Sequence, residues 1–213
     1  MQKLVSENRG VLSGIITRVK PLSNMTIVEL MDRKGKEEDP EFYSVLFYRK
    51  NKDAAAALKK GSRAEFKVHV TSYQKRDEKG KTYNAQSIIA DEIVPVRTRL
   101  EEAYGFKGRN YAETKNEFYI AGPISGLWRA NENSNVINVI VATQNGLRIE
   151  PIRLMFFARK PEEFLASHKV GDIICTVCRL QTRRQKKENG YVYYENIVIR
   201  DFSGYEEGER DDA

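Results

Sequence analysis

EFYSVLFYRKNKDAAAALKKGSRAEFKVHVTSY, residues 41–73, reads as strand, helix, strand in one short span. FYSVLFY is rich in aromatic and β-branched residues, which suit a pleated, half-buried surface. Alternation puts Tyr43, Val45 and Phe47 in the core and Phe42, Ser44, Leu46 and Tyr48 on the opposite side. Four alanines and Leu58 favour a helix over Asp53–Lys60, and Gly61 fits the position just past a helix end. RAEFKVHVTSY then alternates, with Ala64, Phe66, Val68 and Val70 inward and Arg63, Glu65, Lys67, His69 and Thr71 outward. Upstream, VLSGIITRVK and TIVELMD are strand candidates. Downstream, SYQKRDEKGKTYN reads as a hairpin leading into TYNAQSIIADEI. The order β-β-β-α-β-β is that of an OB-fold, a partly open five-stranded barrel.

The span recurs at an offset of 110 residues. Phe47, Arg49, Lys50, Gly61, Gly80, Tyr83 and Asp91 return as Phe157, Arg159, Lys160, Gly171, Gly190, Tyr193 and Asp201. The match reads as gapless from Ser44 to Asp91, and Gly14 corresponds to Gly122 at a slightly shorter offset. The expectation is an all-β chain of two tandem OB-folds with one short helix per copy. Its parts would be domain 1 over 1–95, a linker over 96–115, domain 2 over 116–204 and a short acidic tail over 205–213. Under the same offset Phe157 joins Phe47 in the core. Phe156 alternates onto the face that carries Phe42 and Tyr48, while Ile152 and Ala158 replace those two rings.

The chain has 213 residues and a formal net charge of +6. Its tail, YEEGERDDA, carries net −4, so the rest is more basic still. A basic balance favours polyanions as partners. Both hairpins concentrate it. The first holds Lys75, Arg76, Lys79 and Lys81 beside Tyr73 and Tyr83. The second, TRRQKKENGYVYYEN at 182–196, holds Arg183, Arg184, Lys186 and Lys187 before Tyr191 and Tyr193. Cations can hold phosphates and flat rings can receive bases, which is what binding a single strand without reading its sequence requires. Trp128, the only tryptophan, falls on the first strand of the second copy and serves either to stack a base or to pack.

Residues 41–94 resemble the bacterial and phage-type single-stranded-DNA-binding protein family. The features that carry this are an aromatic-led strand, a helix, the Lys60-Gly61-Ser62 turn, a basic hairpin with a glycine, and Tyr83 opening the last strand. The resemblance implies sequence-tolerant binding of single-stranded DNA. By position it implies that Phe42 and Tyr48 on the third strand and Tyr73, Lys75 and Arg76 on the hairpin touch the strand. It also implies a homodimer carrying four OB-folds, roles in DNA replication, recombination or transfer, and partners among replication or recombination proteins. An RNA-binding OB protein, or an OB-fold assembly module with little nucleic-acid binding, are the alternatives.

Other functions are not indicated. Cys175 and Cys178 form a lone C-x-x-C whose side chains a strand would point to opposite faces, which suits neither zinc nor a redox pair. With no nucleophile elbow or phosphate-cradling loop, no enzyme, metal or cofactor is expected. MQKLVSENRG has no apolar signal region and no apolar run approaches a membrane span, so a cytoplasmic protein without membrane partners is expected.

Overall fold

The computed structural model describes residues 6–32, 40–76, 80–95, 114–187 and 190–203, with side chains 183–193 left aside. Ten strands and two helices follow in chain order. They are β1 (Glu7–Pro21), β2 (Met25–Asp32), β3 (Glu41–Tyr48), α1 (Lys50–Ala56), β4 (Arg63–Arg76), β5 (Thr82–Val94), β6 (Asn116–Arg129), β7 (Val136–Asn145), β8 (Arg148–Phe157), α2 (Pro161–Ser167), β9 (Ile173–Lys187) and β10 (Gly190–Ser203). Each half repeats β-β-β-α-β-β. In the first, the strand order is β2-β3-β5-β4-β1, closed by β1 pairing with β2; in the second it is β6-β7-β8-β10-β9, closed by β6 pairing with β9. All of the strand pairs whose register is described are antiparallel except β3 with β5 and β8 with β10. That is the closed Greek-key order of the OB-fold, and the chain is all-β with two tandem copies.

The alternation anticipated for β3 and β4 holds. Tyr43, Val45 and Phe47 are buried, as are Ala64, Phe66, Val68 and Val70. Phe47 meets Phe66 edge-on, with ring centroids 4.9 Å apart. Helix α1 begins and ends earlier than propensity suggested, because tertiary bonds set its position. Lys52 C=O accepts from the Thr26 hydroxyl at 2.9 Å, and Asn51 Nδ2 donates to Asp91 C=O at 2.8 Å. Its one buried side chain is Ala55. In the second copy the same place is filled by rings: Phe156 lies 4.9 Å from both Phe164 and Phe202, and Phe164 stacks on His168 at 4.1 Å.

The repeat is not gapless, which corrects the uniform offset. Val45 pairs with Val28 and Ile88, and the residue so placed in the second copy is Leu154, paired with Val139 and Ile197. Across β3 and β5 the offset is therefore 109, whereas Gly61 and Gly171 remain 110 apart. Those two glycines donate to Ile16 C=O and Ile124 C=O respectively. The second copy gains one residue before Gly171 and loses one in its hairpin.

The chain divides into two compact units. One comprises Arg9–Phe118 with Leu180–Asn196; the other comprises Met1–Asn8, Tyr119–Arg179 and Ile197–Ala213. The outer part of the β9–β10 hairpin thus groups with the first copy.

Gly14 and Gly122 sit where the backbone of a neighbouring strand leaves no room for a Cβ. A Cβ on Gly14 would lie 2.7 Å from Met31 C=O oxygen, and one on Gly122 would lie 2.3 Å from Ala142 C=O oxygen. Neither backbone can yield without opening its ladder. Replacing either glycine by alanine should cost about 1–3 kcal/mol in chemical denaturation; a loss under about 0.5 kcal/mol would refute the packing argument.

Candidate nucleic-acid interface

Cross-strand register decides which side chains share the outer surface of each barrel. In the second copy, Trp128 on β6 stands opposite Asn138 on β7, which stands opposite Met155 on β8. Two residues along, Val136 faces Phe157. Ile137, Val139 and Val141 point inward and are fully buried. Trp128 and Phe157 therefore share the outer face, about 12 Å apart by ordinary strand spacing. They are 43% and 48% exposed, which leaves ring surface open to a planar partner. Gly126 makes room for the indole: a Cβ there would come within 3.2 Å of Trp128 Cζ3.

The expectation for β8 was one residue out of phase. Phe157, anticipated in the core, is exposed, and Phe156, anticipated on the binding face, is committed to the cluster with Phe164 and Phe202. At the corrected offset Phe157 occupies the place of Tyr48, so the second copy keeps a ring there. Arg153 was the overlooked signal. A charged side chain must face water, and it shares its side of β8 with Phe157, not with Phe156.

In the first copy the outer face is built from β1, β2 and β3. Ile15, Met31 and Phe42 form one row, Arg18, Glu29 and Ser44 the next, then Lys20, Ile27 and Leu46; Tyr48 stands opposite Met25. Phe42 and Tyr48 are half-buried there. Arg18 reaches Glu29 at 3.6 Å, an exposed pair of little energetic weight. Lys20, exposed, stands where the second copy has Trp128.

The first hairpin extends past the barrel, so both of its faces meet water. Lys75 pairs with Tyr83 and Tyr73 with Ala85, which puts Tyr73, Lys75 and Tyr83 on one face. Tyr73 is 41% and Tyr83 43% exposed, and Ser87 Oγ donates to Tyr73 OH at 3.3 Å. Arg76, opposite Thr82, falls on the other face; Lys81 is exposed. Lys79 lies outside the described residues. Arg183, Arg184, Lys186 and Lys187 lie on β9 and Tyr191 on β10 by backbone, with their side chains outside the description.

The base of the second hairpin is described, and it touches β3. Thr182 Oγ1 donates to Phe42 C=O at 2.6 Å, and Ser44 N–H donates to Glu195 Oε1 at 2.8 Å. Asn116 holds Leu180 from both sides, accepting from its N–H and donating to its C=O, each at 2.8 Å, and also donates to Tyr43 OH at 2.8 Å. Burial pushes the Glu195 carboxyl up to about 7, against the opposing pull of the Ser44 amide.

Cys178 is buried, and desolvation pushes its thiol up to about 12; burial raises the half-buried Cys175 as well. Neither is poised as a thiolate. Among the described residues no three His, Cys, Asp or Glu side chains gather to hold a metal ion, and no helix is long and apolar enough to cross a membrane.

No family model matches the chain, and no curated protein matches it by sequence. Solved structures do match. The single-stranded DNA binding protein from Thermus aquaticus superposes with a TM-score of 0.63 at 15% identity, over 95% of each chain. A deletion mutant of the same protein gives 0.64 at 15% identity, over 98% of each. The chain shares that fold. At this identity the likeness fixes the architecture of both copies, and the residues have to supply the rest.

Two outcomes follow from the placement. Phe156→Ala should cost about 3 kcal/mol of stability, while Phe157→Ala should cost under about 1 kcal/mol, measured by urea denaturation; equal losses would contradict the phase of β8. Glu195 has its folded pKa raised, so the folded state binds the extra proton. Its contribution to stability is fully present below the ordinary carboxylate range and is lost as pH rises through about 7. Thermal melts across pH 4–8 should show this decline, and Glu195→Gln should flatten it.

Proposed function

We propose that this chain binds single-stranded DNA with little regard to sequence, stacking bases on outward rings and holding phosphates with its basic hairpins. The observation that carries the reading is the register that sets Trp128 and Phe157 on one exposed outer face. Large rings left open on a sheet that also bears cations suit unpaired bases, whose faces a duplex would keep stacked. The first hairpin adds Tyr73, Lys75 and Tyr83 on one face. The fold shared with the Thermus aquaticus protein supports the same role. In this reading the domains run over 1–95 and 116–204, Phe42 and Tyr48 contribute on β3, and a homodimer brings four OB-folds together. Proteins of replication or recombination would be the partners.

Fluorescence-anisotropy titration tests it. Oligo-dT should bind tightly, duplex DNA far more weakly, and affinity should fall steeply with salt. Trp128→Ala and Phe157→Ala should each weaken oligo-dT binding by about 1–3 kcal/mol, whereas Phe156→Ala, compared at a temperature where it is folded, should not. Replacing Lys75, Arg76, Arg183 and Arg184 by alanine should weaken binding to all sequences and flatten the salt dependence. Equal affinity for duplex and single strand would overturn the reading, and tighter binding of a matched RNA oligomer would redirect it to RNA.

A further inference from the structure

Strand β3 has an edge that its own barrel does not complete. The parallel ladder to β5 runs over Val45↔Ile88 and Leu46↔Ile89. Alternate residues of a strand send their N–H and C=O to the same side, so Phe42, Ser44 and Leu46 share one edge. Ahead of the ladder, β5 has turned away into its hairpin, and that edge would be left with unpaired polar groups. It is completed from the other copy: Ser44 N–H goes to Glu195 on β10, and Phe42 C=O receives the hydroxyl of Thr182 on β9. Both strands of the second hairpin thus bond the same edge. Asn116 adds a third tie, through Leu180. The Leu180–Asn196 segment groups in one compact unit with the first copy.

The sequence order gives the arrangement a direction. Arg183 follows Thr182 immediately, and Arg184, Lys186 and Lys187 come within five residues. The cation run of the second hairpin therefore begins one residue from a bond to the backbone of Phe42. The outer face of β3, with Phe42 and Tyr48, lies on the same strand.

We infer that the second copy's basic hairpin serves the first copy's ring-bearing strand, the two forming one continuous single-strand surface, with Thr182 and Glu195 as positioning residues that fix the hairpin to the edge of β3. This rests on the single-stranded-DNA reading above. It goes beyond that reading in assigning the hairpin cations of one OB-fold to the binding site of the other.

The test compares Glu195→Ala with Glu195→Gln in the full chain. Both remove the negative charge, so any change in repulsion toward phosphate is common to them, and only glutamine keeps an acceptor for Ser44 N–H. Thr182→Val, which removes a hydroxyl at constant shape, is the second variant should Glu195→Ala fold poorly. Glu195→Ala should speed hydrogen exchange at the Ser44 amide at least tenfold. It should weaken oligo-dT binding about tenfold at 0.1 M salt, with a salt slope shallower by about 0.7 for each phosphate no longer neutralised. Glu195→Gln should stay within twofold of wild type in both. Thr182→Val should shift affinity and slope in the direction of Glu195→Ala. Faster Ser44 exchange with unchanged affinity and slope would overturn the inference and leave the DNA reading standing, and unchanged exchange would remove the docking itself. A wild-type chain that bound no oligo-dT would overturn the reading and the inference together.

Discussion

A strand inside a barrel must have both of its edges satisfied, and β3 meets that requirement with borrowed groups. Its antiparallel side is complete along Glu41–Tyr48 against β2. Its other side is shared between β5 and the base of the β9–β10 hairpin. An unpaired amide or carbonyl away from water costs as much as a lost hydrogen bond, so the chain cannot leave that edge open cheaply. The partner that fills it is itself expensive. Glu195 gives up water there, and burial pushes its carboxyl up against the opposing pull of the Ser44 amide. The half-buried carboxylate of Glu195 is bonded to the Ser44 amide, and in sequence the cation run follows directly on Thr182.

The two copies solve the same packing problem with different residues. Where the first barrel rests the small Ala55 of α1 against its base, the second brings in Phe156, Phe164, Phe202 and His168. The surfaces diverge too. Lys20 stands in the first copy at the position of Trp128 in the second, and Tyr48 at that of Phe157. One face is richer in flexible cations and half-buried rings, the other in open rings. Divergence of this kind costs the barrels nothing, because outward positions do not enter the core.

Much of the fold was legible because period-two alternation is a local property. Tyr43, Val45, Phe47, Phe66, Val68 and Val70 each went inward as their spacing implied, and the four alanines with Leu58 and Gly61 announced the helix between them, though not its bounds. The failure at Phe156 and Phe157 has a definite cause. Adjacent phenylalanines fit either phase, and a repeat offset carried over from identities cannot detect one residue gained before Gly171 and lost again in the hairpin. Because side chains alternate, a slip of a single residue exchanges core for surface.

The amino-acid sequence by itself determined the all-β class, the order β-β-β-α-β-β, its duplication and the two basic hairpins, since all of these follow from local pattern and composition. Tertiary structure decided which ring of β8 faces outward, because phase is set by pairing with β7 and β10; the one local hint was Arg153, on the side of Phe157. It also decided what the second hairpin touches. Thr182, Glu195 and Asn116 carry no motif; they meet Phe42, Ser44 and Leu180 across 140, 151 and 64 residues of sequence. Hydrogen bonds of that span are made by the folded barrel, whose strand edge exists only once β5 has turned away from β3.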